Sequence, residues 1–189
     1  KNPLAVARDL NAAYYNSDAL ETLRGVEDPE VLPERAAALA GLYRHEEAEE
    51  AYAAWLEQTP DDSAAQLGLA QSLVQLERPD EALSLLEGID TADSQLAQAD
   101  LLAVEDVDGA VDLYVNSPYP IAWWSAASLL ETQGRLTETL PLYARLGESY
   151  NPRSDEAAYR LYVLGQRVED PDAQAEGEAL LEGLGLSWL

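Results

Sequence analysis

The chain has 189 residues and 47% hydrophobic content, enough to bury a core and too apolar for wholesale disorder. Its 36 acids against 11 bases, a net charge of −25, exclude nucleic-acid binding as an expectation, because phosphates must be met by cations. The same charge repels anionic membranes, and the absence of Cys removes disulfides, thiolate catalysis and Cys-based metal sites.

Ala and Leu dominate, Phe is absent and no strand-like Val/Ile/Thr alternation occurs, so the expected elements are helices. In chain order they fall into six helix–turn–helix hairpins, at about 3–28, 30–60, 63–90, 92–116, 120–150 and 155–185, in one domain over 1–189. Each hairpin carries a small residue in its first helix and a second one twelve positions later. The pairs are Ala7 with Ala19, Ala36 with Ala48, Ala70 with Ala82, Gln98 with Ala110, Ala127 with Thr139, and Val163 with Ala175. Antiparallel helices approach most closely where both present small side chains. Larger residues flank these positions: Leu39, Leu73, Trp123 and Leu130 in first helices, and Tyr52, Leu86, Tyr114, Tyr143 and Leu146 in second helices. Helical periodicity assigns these aromatics to the core.

Local signals agree with the hairpins. Asp62 or Ser63 can cap the helix after Pro60. Pro79 and Pro171 stand where second helices begin, a position that tolerates Pro. "NSPYP" (116–120) and "YNPRS" (150–154) read as breaks between hairpins, with Asp155 as the cap of the next helix. The second-helix small residues are separated by 29, 34, 28, 29 and 36 residues, so all variation lies in the links between hairpins. A deficit of five residues is about 1.4 helical turns, which predicts irregular curvature.

The segments "AAQLGLAQSLVQLERPDEALSLLEGID" and "AWWSAASLLETQGRLTETLPLYARL" resemble tetratricopeptide repeats. The features that carry the resemblance are Ala70, Ala82 and Leu86 in the first segment, and Trp123, Ala127, Gly134, Leu136 and Tyr143 in the second. It implies an all-α fold, an α-α superhelix (right-handed solenoid) of about six antiparallel hairpins. It also implies a concave face, lined by the first helices, that binds a protein or peptide. Carried onto this sequence, that face comprises Arg8, Asn11, Gln71, Gln75, Gln95, Trp124, Ser128, Glu131, Arg160 and Arg167. The set is rich in amides and Arg within an acidic chain. Trp124 neighbours the core residue Trp123 and so points to a different helix face; an exposed Trp beside Arg would be a binding hot spot. The opposing expectation is that Arg160 and Arg167 pair with nearby acids. The Lys and Asn of the carboxylate clamp in chaperone-binding relatives are absent, so chaperone tails are not expected ligands.

Three chemical motifs fail on their own requirements. Glu148-Ser149-Tyr150-Asn151-Pro152 resembles the start of the catalytic segment of lytic transglycosylases, but an amphipathic helix follows instead of Gly-Ala-x-Gly-Leu-Met-Gln. A general acid of that kind also needs an enclosed apolar pocket. Asp106, Asp108 and Gly109 have EF-hand spacing, yet Val104 and Val115 would occupy the first and last ligand positions; Asp108 is better read as a helix cap. His45 is the sole histidine and has no second soft ligand. No catalytic residue, cofactor or metal is therefore expected. The remaining alternative is the non-catalytic superhelical region of a lytic transglycosylase, with its catalytic domain outside this chain. The missing initiator Met and the apolar end at Trp188 motivate that reading and a lean toward an exported chain; in it, that end would pack against a following domain.

Overall fold

A computed structural model describes residues 2–149 and 151–186. Every regular element among them is helical. The order is α1 (Pro3–Ala12), α2 (Asn16–Thr22), a 3-10 turn (Pro29–Val31), α3 (Leu32–Gly41), α4 (His45–Gln58), α5 (Ser63–Gln75), α6 (Pro79–Leu86), α7 (Ala92–Leu102), α8 (Val107–Asn116), α9 (Pro120–Thr132), α10 (Leu136–Glu148), α11 (Ser154–Arg167) and α12 (Pro171–Gly183). The chain forms two compact units, 1–94 and 95–189, and the division falls within α7.

Five hairpin turns share one geometry, the fifth at Glu169 with φ 58° and Asp170 N–H closing on Gly165 O, and at the other four it explains the twelve-residue spacing. Tyr14, Tyr43, Glu77 and Gly134 each adopt a left-handed conformation, with φ of 63°, 59°, 60° and 72°. Each stands seven residues after the small residue of the first helix and five before that of the second. The next N–H closes the helix end on a carbonyl five residues back: Tyr15 on Leu10, Arg44 on Leu39, Arg78 on Leu73 and Arg135 on Leu130. This is the Schellman ending of a helix. A fixed turn fixes the register, so Ala7, Ala19, Ala36, Ala48, Ala82, Ala127 and Thr139 are all fully buried and Ala70 nearly so.

Left-handed geometry costs an L-residue about 1–2 kcal/mol, which Gly avoids. Gly134→Ala is therefore expected to lower stability by about 1 kcal/mol, and Glu77→Gly to raise it by somewhat less, since Gly also loses more chain entropy on folding. Urea denaturation of the two variants checks this; equal midpoints would show that the turns carry no such strain.

Arg44, Arg78 and Arg135 occupy the same place after three of these turns. Each reaches forward to the Glu three residues on, Glu47, Glu81 and Glu138, with N···O distances of 2.5–2.7 Å. The guanidinium hydrogen bond holds each of these carboxyls below the usual range. Arg78 also reaches back to Glu49 at 2.8 Å, and Arg135 to Asp108 at 2.5 Å, each in the preceding hairpin. Exposed pairs of this kind add little stability individually, but they recur at every turn where Arg follows the left-handed residue.

The sequence register fails in two hairpins. In α7 the buried small residue is Ala99, not the half-buried Gln98, so its distance to Ala110 is eleven. The residues at this turn lack the left-handed conformation, and four residues rather than three separate the two helices. In the last hairpin Val163 is 36% exposed and Ala175 is also exposed. The close approach is made by Gly165 and Gly177, two residues further on. A Cβ on Gly165 would stand 2.6 Å from the Gln174 nitrogen, and one on Gly177 2.5 Å from the Tyr162 nitrogen. Backbone meets backbone there, which only Gly permits.

The caps also sharpen. Asp62 caps α5 through the N–H groups of Ala64 and Ala65, and Asp170 caps α12. Asp106, not Asp108, caps α8, accepting from Gly109 N at 3.0 Å. Asp155 lies in the first turn of α11 rather than at its cap. The second unit has one core, built around Trp123, Leu130, Tyr143, Leu146 and Leu161. The first unit has two smaller ones, around Leu39 and Tyr52 and around Leu23 and Val31. Tyr52, Tyr114 and Tyr143 stand at equivalent positions, four residues after the small residue of their helices, and each is at most 8% exposed. Trp188 and Tyr150 lie outside the described residues.

Candidate ligand groove in the second unit

One face of α9 steps through Ile121, Trp124, Ser125, Ser128, Leu129 and Thr132, the i, i+3, i+4 rhythm of a helical stripe. Together with Ala103, Tyr114, Tyr143, Arg153 and Arg160, this stripe lines a cavity of about 470 Å³. All of these residues belong to the second unit.

Trp124 forms an aromatic wall, but not in the way the sequence implied. It is 7% exposed, so it is a buried residue rather than a surface hot spot. The reason is that three groups cover it. Tyr143 packs edge-on with ring centroids 5.4 Å apart. The Arg153 guanidinium lies 4.0 Å from the indole centroid, and that of Arg160 lies at 6.0 Å. Arg next to an indole face is favourable by cation–π attraction. Trp123, on the other helix face as expected, receives Arg145 at 3.5 Å and donates its Nε1–H to Ser117 O at 2.8 Å. The Trp124 Nε1–H, by contrast, is buried without an acceptor.

A second layer fixes these groups. Arg160 Nη1 donates to both Glu131 oxygens, at 2.9 and 3.1 Å. Tyr143 O–H donates to the same carboxylate, and Tyr114 O–H donates to Asp100 at 2.6 Å. Burial, followed by the neighbouring carboxylate, pushes both phenols well above their ordinary range. Both hydroxyls therefore stay protonated as donors near neutral pH. Glu156 holds Arg153 at 2.8 Å and Arg160 at 3.3 Å.

The residues expected on the concave face separate into groups. Trp124, Ser128 and Arg160 line the cavity, and Glu131 anchors Arg160 from behind. Arg8 and Asn11 converge on Glu34 in the first unit, at 2.9 and 2.8 Å. Gln71 and Gln75 are exposed one turn apart on α5. Gln95 on α7 and Arg167 on α11 lie outside the cavity lining. Arg160 is indeed paired with acids, whereas exposed Arg167 has no ion pair among the described residues. The sequence reading missed Ile121, Ser125 and Thr132, which lie three residues before Trp124, three before Ser128 and four after Ser128 on the same helix face. It also missed Arg153, which no periodicity reveals because it comes from the loop before α11.

Glu148 is exposed at the end of α10 and lies outside this cavity, so it lacks the enclosure a raised general acid requires. Among the described residues no three His, Asp or Glu side chains are placed to hold a metal. No helix among them is long and apolar enough to cross a membrane.

Residues 39–105 match the sequence pattern of the tetratricopeptide repeat. No curated protein matches the chain. Among solved structures, the fold is similar to that of Pseudomonas aeruginosa pilF, with a TM-score of 0.66 at 16% identity over 96% of this chain and 90% of that one. It is also similar to PilW, a widely conserved type IV pilus biogenesis factor, with a TM-score of 0.65 at 17% identity over 96% and 91%. A thermophilic TPR protein of Thermus thermophilus gives 0.59 at 25% identity over 91% and 97%. The repeat match, the fixed hairpin turns and these neighbours agree: the chain is a tetratricopeptide-like helical repeat protein.

Proposed function

We propose that this protein is a non-catalytic scaffold module that holds an extended segment of a protein partner in the α9 groove of its second unit. The observation that carries this is the α9 stripe. It is a helix face of mixed hydroxyl and apolar groups, open on one side, with an aromatic wall fixed by a second layer of hydrogen bonds. Pockets that bind ligands combine apolar lining with a few oriented polar groups, and pre-fixed walls reduce the ordering cost of binding. The tetratricopeptide-like fold supports the reading, because such repeats present peptides with a surface built from successive first helices.

Peptide display against the full chain, followed by calorimetry, tests it. Selected peptides are expected to lose at least tenfold in affinity on Ser128→Trp, which fills the exposed centre of the groove. They are expected to be indifferent to Glu178→Ala, a surface change on α12 outside it. Peptides that bind both variants equally well would place the binding surface elsewhere.

A further inference from the structure

The turn edge of the first unit carries aromatic surface that the fold does not use. Tyr14 and Tyr43 occupy the same left-handed turn position in consecutive hairpins and are 88% and 82% exposed. Tyr15 beside them is exposed as well. None of the three phenols finds a hydrogen-bond partner among the described residues. A bulky residue at positive φ is an outlier, and strain of this kind points to a function when packing does not require it. Packing does not require it here, because the rings bury almost nothing. The turn does not call for an aromatic either: Glu77, Gly134 and Glu169 fill the same position in later hairpins.

The three rings share one edge. Tyr15 precedes Asn16, which opens α2. A Cβ on Gly41, the last residue of α3, would clash with the Asn16 side chain, so the two helix ends lie in direct contact. Tyr43 follows Gly41 by two residues, and the His45 ring meets it edge-on with centroids 6.0 Å apart. Carboxylates stand beside the rings. Asp18 is in the first turn of α2, Glu46 is in the first turn of α4, and Glu50 lies one turn further on. All three are exposed and have no ion pair among the described residues. Arg44, next to Tyr43, is already engaged by Glu47 through two hydrogen bonds.

We infer that this edge docks a cationic segment of a protein partner, with Lys or Arg side chains over Tyr14 and Tyr43. The inference is independent of the α9 groove. A guanidinium or ammonium is attracted both to a ring face and to a carboxylate, and the net charge of −25 draws such a segment in. An aliphatic partner would cover Asp18 and Glu46 without pairing them, which is unfavourable. A second copy of the chain brings the same negative charge, and an anionic lipid surface or a nucleic acid meets carboxylates.

An acetylated, amidated octapeptide of alternating Arg and Ser, and the same peptide with Gln for Arg, are titrated by calorimetry into the full chain. The salt is about 0.15 M, which screens distant charges. The Arg peptide is expected to bind at least tenfold more tightly than the Gln peptide. Joint substitution of Tyr14→Asn and Tyr43→Asn is expected to weaken the Arg peptide about fivefold or more, since each exposed cation–π contact is worth about two- to fivefold. Net charge is unchanged in this variant, and its thermal midpoint is expected not to fall, because Asn tolerates left-handed geometry. Glu46→Gln is expected to weaken binding more than Glu178→Gln, the same charge change on an exposed site of α12. Unchanged binding by the double Tyr variant would reduce the attraction to diffuse charge and overturn the inference. Equal binding of the two peptides, or binding of neither, would also overturn it. Sedimentation of the chain alone and flotation with phosphatidylcholine vesicles cover the other occupants. A dimer, or vesicle binding, that the double variant abolishes would give the edge to a second copy or to a lipid surface instead.

Discussion

Gly177→Ala is expected to destabilise the second unit by about 3 kcal/mol, at the upper end for one added methyl in a packed interior. The new Cβ would stand 2.5 Å from the Tyr162 nitrogen, 2.8 Å from its Cα and 2.9 Å from the Ala158 oxygen. These are backbone atoms of α11, so no side chain can rotate away. Relief requires α11 and α12 to separate, and they would separate at their tightest point, where Gly165 meets the other end of the same interface. Gly183→Ala is the control. It lies in the last turn of α12 with nothing within 4 Å of an added Cβ, and it gains up to about 1 kcal/mol of helix propensity. Urea denaturation followed by far-ultraviolet circular dichroism separates the two. A Gly177→Ala midpoint within error of the unsubstituted chain would show that this helix pair is looser than described.

Trp124→Ala is expected to cost about 3–5 kcal/mol, the range for deleting a large aromatic from a core. If Trp124 were an exposed contact residue, the same change would fall within about ±0.5 kcal/mol. The structure favours the large value. The ring is 7% exposed, packs against Tyr143 at 5.4 Å and is covered by Arg153 at 4.0 Å. Trp124→Phe keeps most of this packing and removes only the unpartnered N–H and part of the ring, so its cost is expected to be well under half. Thermal and urea melts of both variants decide the matter. A fully stable Trp124→Ala protein would return this residue to the surface. The prediction also governs how the groove is tested: loss of binding in Trp124→Ala reports unfolding as readily as lost contact, whereas Ser128 and Arg153 are exposed and report contact.

The repeat is written in residue order alone. Small residues twelve apart, Ala7 with Ala19 through Ala127 with Thr139, specify helix pairs that share one turn, and wherever that turn forms these residues are buried. The pattern was legible because the constraint is local: a Schellman turn has a fixed length, and a fixed length writes a fixed spacing into the chain. The same reasoning placed Trp123 and Trp124 on different faces of α9. Ser128, read from the same register, lines the cavity, as does Arg160 of the last hairpin, where that register fails.

What covers what is a property of the folded chain. Exposure of Trp124 depends on Arg153, 29 residues away, and Arg160, 36 residues away, which arrive from a different hairpin. No periodicity encodes an arrival of that kind. The last hairpin likewise hid its contact in Gly165 and Gly177, because a glycine in a helix reads as a weakness until a second backbone is seen against it. Spacing along one chain fixes local geometry. Burial and pairing arise between segments, where the deciding distances are not distances along the sequence.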